Sequence, residues 1–333
     1  MGDTPSHGLE VALSQSSTMS ADDSETDPWL SRSNTWPSRL NIDTNINNWS
    51  ALRVAVIGHV EWTRIACVDR VPVAGDVTHA DLVWEGAAGG GAVAAVQLAK
   101  LAGRCAFFTA LGDDATGRKS RAELESQGVE VFAALREQPT REAVSLVDAT
   151  GERTTVTIGQ RLQPCPDDPL PWDMFADYHA IYFAAGDPDV LRWARSAGKL
   201  VVTCRELLTA AAAAVPLDAL IGSARDSAER YNPDLLSPPP SLIVSTDGEA
   251  GGHYSLPGSP ACAYPPMQPP GPIVDSYGVG DSFAAALTFG LAAFADVRDA
   301  LALAAQCGAA SVAGLGPYAG QMGFVKQSGC GES

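Results

Sequence analysis

The run "LRVAVIG" (52–58) is apolar almost throughout and closes on a glycine, the pattern of a strand buried on both faces. "CAFFTALG" (105–112) repeats it. Between them, "GGGAVAAVQLAKLAG" (89–103) opens on glycines and stops at Gly103, as a helix packed against a sheet would. "GRKSRAELESQG" (117–128) is a polar helix with a glycine stop. Strand and helix patterns go on alternating through "AIYFA" (180–184), "KLVVTC" (199–204), "LDALIGS" (217–223) and "SLIVSTDG" (241–248). Long apolar helices then follow Asp281 and Asp299. This alternation predicts an α/β domain with a mostly parallel sheet covered on both faces.

Two segments break the alternation. "RIACVDRVPVAGDVTHADLVWEG" (64–86) has β-branched residues interrupted by Pro72 and Gly75. "EAVSLVDATGERTTVTIG" (142–159) reads as a hairpin turning at Thr150–Gly151. Together, from about 62–84 and 142–159, they predict a small separate sheet that covers the edge of a cleft. Residues 1–50 are rich in Ser, Thr, Asn and Asp without apolar period, the composition of a disordered tail. Its Trp29, Trp36 and Trp49 are unusual there and are candidates to dock on the domain. The folded unit is expected over 51–325, with a short tail at 326–333.

Composition narrows the function. A chain of 333 residues, 46% hydrophobic and 18% charged, can build a large core. Its formal net charge of −17 is a poor match to nucleic acid or an anionic membrane, so neither is an expected partner. A small anionic ligand stays open, because helix N-termini bind phosphates without net positive charge. The seven cysteines are scattered, with no CxxC pair and no Cys/His zinc spacing, which fits reduced thiols in a cytoplasmic protein. The first twenty residues lack the apolar core of a secretory signal, and no run is long and apolar enough to suggest a membrane span.

Candidate chemistry centres on "DSYGVGDSF" (275–283), which sets Gly278 and Gly280 ahead of Asp281 where a helix begins. Two glycines there imply a backbone that must turn tightly or come close to something. A turn leading into a helix would present the N–H groups of Gly278, Val279 and Gly280 to an anion. Asp281 is either a helix cap or a base; with an ordinary pKa of about 3.9 it would be ionised at neutral pH. "GGGAVA" (89–94) also contains a G-x-G-x-x-A pattern, but antiparallel strand patterns separate it from the first strand, which argues against a dinucleotide site.

With its two acids, two glycines and Phe283, the 275–283 stretch closely resembles the D-T-x-G-A-G-D-x-F signature of the PfkB/ribokinase family of carbohydrate kinases. Other pieces fall in the family's order: "RVAVIGHVEW", "AGGG", "LGDDATG" (111–117) and "STDGEAGG" (245–252). The resemblance covers about residues 52–320. It implies a ribokinase-like three-layer sandwich with a β lid, and ATP-dependent phosphorylation of a hydroxymethyl group on a small sugar or nucleoside. Asp281 would be the catalytic base and also touch the acceptor, with the 278–281 backbone as anion hole. Glu61, Gly89 and Gly90 would bind the acceptor, and Thr246, Gly248 and Gly251 the nucleotide. Mg²⁺ would be organised indirectly by Asp226, and a monovalent cation such as K⁺ by a loop containing Asp275 and Ser276. In several relatives the lid is a dimer interface, so a homodimer through Val71, Val73, Leu82 and Trp84 is a further expectation.

Three stretches depart from the family pattern. "SARD" stands where N-x-x-E is usual, with Ser223 and Asp226 in those places. Ala94 replaces an asparagine after the glycine pair, and Glu61 stands where aspartate is common. His59 beside it is expected to be a packed histidine, while Gln160 and Arg161 follow the hairpin and would reach a substrate anion or hydroxyl. An altered acceptor pocket beside an intact catalytic loop implies a substrate other than ribose. A non-catalytic nucleotide or sugar sensor on the same fold is the alternative.

Overall fold

The computed structural model describes residues 36, 49–149 and 153–324. Apolar runs become strands where expected. β1 (Val54–Ile57) is buried at all four positions and leads into β2 (Glu61–Cys67) and β3 (Asp81–Ala88). The glycine-rich helix Gly90–Ala102 follows, ended by Gly103 in the left-handed region. Then come β4 (Cys105–Gly112), the helix Ala115–Ser126, β5 (Val129–Arg136), β6 (Glu142–Val147) and β7 (Arg153–Ile158). The alternation resumes with β8 (Ala180–Phe183), the helix Pro188–Ala194, β9 (Lys199–Thr203), the helix Leu207–Ala213, β10 (Ala219–Ser223) and β11 (Ile243–Thr246). Two short strands, β12 (Gly252–Ser255) and β13 (Cys262–Tyr264), precede the long helices Val279–Ala293 and Val297–Ser311.

Nine strands form one sheet in the order β13-β12-β11-β10-β9-β8-β1-β4-β5. All pairings are parallel except those of β12 and β13. From β1 the chain winds outward to β4 and β5, then returns to β8 on the other side. The strand order therefore reverses beside β1, and in such sheets ligands bind at the carboxyl ends of the strands at that point. Val54 and Val56 face a core shared with the glycine-rich helix and the two long C-terminal helices. Ala55 and Ile57 face the opposite core, against Val190, Leu191 and Leu207. These are the three layers of the sandwich.

The two segments that broke the alternation make one separate four-stranded sheet, ordered β3-β2-β6-β7. β2 pairs antiparallel with β3 and parallel with β6, so the strand leaving the central sheet is the seam between the segments. The turn at Thr150–Gly151 lies outside the described residues. So do Trp29, the 326–333 tail and most of 1–50. Trp36 and Trp49, offered by the sequence as candidates to dock, both pack on the domain. Trp49 is 4% exposed and packs edge-on against Phe289 and Phe294, at 5.9 and 5.7 Å. Trp36 stacks on Tyr264 at 5.9 Å. Burying indoles of this size removes more apolar area from water than most single residues can, so the domain recruits them from a polar stretch. Among the described residues, no helix is long and apolar enough to cross a membrane.

Candidate active site

Gly278 opens the helix Val279–Ala293 with φ of 76°, and no side chain caps it. Asp281, in the first turn, is thus not the cap. Its carboxylate points across to the glycine-rich loop: a Cβ on Gly90 would lie 2.9 Å from Asp281 Oδ1. The two glycines of the turn do different work. Gly278 needs its positive φ, and a Cβ there would strike Val93 Cγ1 at 2.8 Å. Gly280 is exposed, and a Cβ on it would meet no protein atom within 4 Å. That bare, open position above helix N–H groups suits the close approach of an anion.

Asp281 keeps part of its surface open, yet enclosure by protein pushes its carboxyl up to about 6. Burial is the main cause, and the negative charge of Glu229 adds to it; Arg153 and Arg205 pull the other way, and Glu61 adds slightly. An ordinary carboxylate pKa, expected from the sequence, is therefore corrected upward. Such a shift makes a stronger base that is still mostly ionised at neutral pH.

Across from Asp281, Gly58 at the end of β1 lets the glycine-rich helix come close: a Cβ there would sit 2.8 Å from Gly91 Cα. Gly89, with φ of 88°, lies against Glu61 and His59, since a Cβ would be 3.2 Å from each. Glu61 is buried and pairs with Arg141 at 3.1 Å. Burial raises its pKa, and Arg141 and Arg161 partly offset this. His59 lies 3.7 Å from Glu61, and its Nδ1 is buried without a partner. Burial first, then Arg161, Arg141 and Arg205, push its pKa down to about 3, so the imidazole is neutral. Arg161 pairs with buried Glu206 at 2.9 Å, whereas Gln160 is exposed. Ala94 is fully buried in the core and offers the pocket no polar atom. From the lid, Arg153 lies over the Tyr277 ring at 4.9 Å, and the Tyr277 hydroxyl meets Thr63 Oγ1 at 3.3 Å.

Beside this pocket, β10 and β11 end in register, Ser223 opposite Thr246. Thr246 Oγ1 donates to the Gly222 carbonyl, 3.3 Å. Gly248 and Gly251 follow with φ of 55° and 84°. Arg225 bends over this turn, donating to Asp247 Oδ1 and to the Asp247 carbonyl, both at 2.9 Å. Thr246, Gly248 and Gly251 thus lie together at the carboxyl end of β11 and in the turn that follows it.

The two expected cation residues are otherwise engaged. One oxygen of Asp226 accepts from Ala228 N at 2.9 Å, and the other meets Arg205 at 2.6 Å. Asp275 is buried; its oxygens accept from Tyr277 N at 2.9 Å and Gly316 N at 3.0 Å, which makes it a clasp for the 275–281 loop. Among the described residues no group of three or more His, Cys, Asp or Glu side chains could hold a metal. Asp226 is thus held in an ion pair, and Asp275 is tied to the backbone of its own loop and of Gly316.

A family model described as pfkB family carbohydrate kinase matches residues 51–220 and 168–321, which together span most of the chain. The chain belongs to the pfkB family of carbohydrate kinases. Solved structures agree in fold. A ribokinase from Cryptococcus neoformans, solved with ADP, is 21% identical with a TM-score of 0.66, over 82% of this chain and 97% of that one. The Arabidopsis thaliana ribokinase, complexed with ribose and ATP, is 17% identical with a TM-score of 0.64, over 82% and 96%. An adenosine kinase from Sinorhizobium meliloti is 20% identical with a TM-score of 0.64, over 80% and 95%.

This pfkB-family chain brings Asp281, Glu61, Gly89 and Gly90 together at one pocket. Sequence reasoning missed four charged residues around it: Arg141, Arg153, Arg205 and Glu229. They come from the start of β6, the start of β7, the turn after β9 and the loop after β10. No local motif links them. Arg141, Arg153 and Arg205 do lie at or next to strand ends, whereas Glu229 sits in a turn six residues beyond β10, where no strand pattern points to it.

Proposed function

We propose that the protein transfers the γ-phosphoryl group of ATP to a hydroxymethyl group on a small sugar or nucleoside. One observation carries the reading: the carboxylate of Asp281, which does not cap its helix, faces Gly90, with the open backbone of Gly280 beside it. Asp281 takes the proton of the acceptor hydroxyl, whose oxygen attacks the γ-phosphorus. The bond from that phosphorus to the β–γ bridging oxygen breaks, and ADP leaves with the electron pair. Gly278, Val279 and Gly280 direct N–H groups at the charge on the moving group. Glu61, Gly89 and Gly90 hold the acceptor; Thr246, Gly248 and Gly251 lie along the nucleotide. Mg²⁺, organised indirectly by Asp226, and K⁺, at the loop of Asp275, belong to the expectation from resemblance, and no step is assigned to either ion. The soluble, cytoplasmic setting and a homodimer through the lid are part of the same reading.

The test is ADP release, with Mg²⁺ and K⁺ supplied, across pentoses, hexoses and nucleosides, using wild type and Asp281→Asn. Turnover on one acceptor, lost in the variant while nucleotide still binds, is the expected result. An Asp281→Asn protein working at the wild-type rate would remove the assigned base. A second reading, a nucleotide or sugar sensor without turnover, is favoured by one feature: Asp226 is already tied to Arg205. Binding without ADP release across the whole panel would select it.

A further inference from the structure

Where the family pattern leads one to expect a free carboxylate, the corner between β9 and β10 carries a guanidinium. Arg205 directly follows β9, in the short turn Cys204–Glu206, and Thr203 Oγ1 accepts its backbone N–H at 3.3 Å. Its side chain is gripped twice: Nη2 lies 2.6 Å from Asp226 Oδ2 and Nε lies 2.6 Å from Glu229 Oε1. A bare backbone position makes this grip fit. A Cβ on Gly222 would lie 2.1 Å from the Glu229 carbonyl and 2.8 Å from Cys204 Sγ, so the 223–229 loop folds back over Cys204 only because residue 222 is glycine.

Arginine has five N–H donors in a rigid plane. Two are committed to the carboxylates, and the side chain is still 55% exposed. The charge is also felt across the cleft, at Asp281 and at His59. Held in this way, the guanidinium needs no reorganisation to meet an incoming anion. The flat fork matches phosphoryl oxygens, and a fixed cation is most effective where charge develops during transfer.

We infer that Arg205, oriented by Asp226 and Glu229, binds the transferring γ-phosphoryl group. This rests on the kinase reading above. Arg205 is the catalytic residue in the pair of roles; Glu229 and Asp226 are positioning residues that act through it. The departure at Ser223 and Asp226 is then no simple loss, because the carboxylate at 226 has been redirected to hold a cation supplied by the chain itself.

The test compares calorimetric binding of ADP and of a non-hydrolysable ATP analogue to the full chain: wild type, Arg205→Met and Arg205→Lys. Arg205→Met should weaken the analogue about tenfold while ADP affinity stays within about threefold, and kcat should fall about a hundredfold with little change in acceptor KM. Arg205→Lys should restore part of kcat. Equal weakening of both nucleotides, with a lowered Tm, would mean a structural tie only and would overturn the inference. Should Arg205→Met not fold, Glu229→Gln carries the same comparison: selective loss for the analogue supports it, equal loss overturns it. Wild type that binds neither nucleotide removes the kinase reading and this inference together; Arg205→Met working at the wild-type rate removes this inference alone.

Discussion

On the proposed mechanism, Asp281 would act as a base from a site that resists its charge. Burial and Glu229 raise its carboxyl to about 6, so turnover should climb as pH rises through about 6 and level off above it. Stability should move the other way. The folded state holds this proton to a higher pH than the unfolded chain, whose value is near 3.8. Between those two values the folded state binds more protons, so stability falls as pH rises and the cost is constant above the window. Asp281→Asn should therefore lose about 10²–10⁴-fold in kcat while matching or exceeding the wild-type Tm at pH 7. A pH series of Tm for both proteins checks the sign: a wild type that gains stability on Asp281 ionisation would refute it. Asp281 was legible from the sequence because its acids and glycines lie within nine residues. Its environment was not, because Glu229, Arg153 and Arg205 approach it through the fold from distant positions. Nor does a sequence show that the Asp226 carboxylate is already taken.

At the scale of elements, the turn at 278–281 can be separated into its two functions. Gly278→Ala puts a Cβ at positive φ and against Val93, and should cost about 1–3 kcal/mol in denaturant unfolding. Gly280→Ala meets no neighbour and replaces glycine in a helix, so stability should hold or rise by up to about 1 kcal/mol. Yet Gly280→Ala should weaken the ATP analogue and slow turnover, because the new methyl occupies the approach to the N–H groups. A Gly280→Ala enzyme with unchanged nucleotide binding and rate would rule out this backbone as the anion site. The buried runs of β1, β4 and β8–β10 were readable because both of their faces are covered. β5 was harder to find: only one of its faces is well buried and it lies at the sheet edge. β12 and β13 are short antiparallel additions of three or four residues, too brief for a periodic signal. Trp49 joins the core from a polar context that carries no helical or strand period.

For the whole molecule, the lid raises the question of assembly. Val73 and Leu82 are 66% and 56% exposed, and Val156 and Ile158 on β7 are 58% and 55% exposed. Trp84 is turned inward, against Tyr318 and Gly316. A dimer through the lid would cover the exposed four, and light scattering at high protein concentration should then give twice the chain mass. A strict monomer would exclude that assembly and leave the fold assignment untouched.

The inner edge of the lid has a mechanical consequence. The Tyr318 hydroxyl donates to the Ala87 carbonyl, Ala87 N donates to Glu123 at 2.9 Å, and the Trp84 indole fills the space a side chain at Gly316 would need. Asp275, through Gly316 N, joins that same segment to the catalytic loop. β3 is thus bolted to the body, whereas β7 is exposed along all six residues. A cover fixed along one margin does not swing as a door; it peels from its loose margin. Amide exchange should run fastest along β7, slower through β6, and slowest at β3, and bound nucleotide plus acceptor should slow β7 most. Uniform exchange across the four strands would mean instead that the cover lifts as one plate.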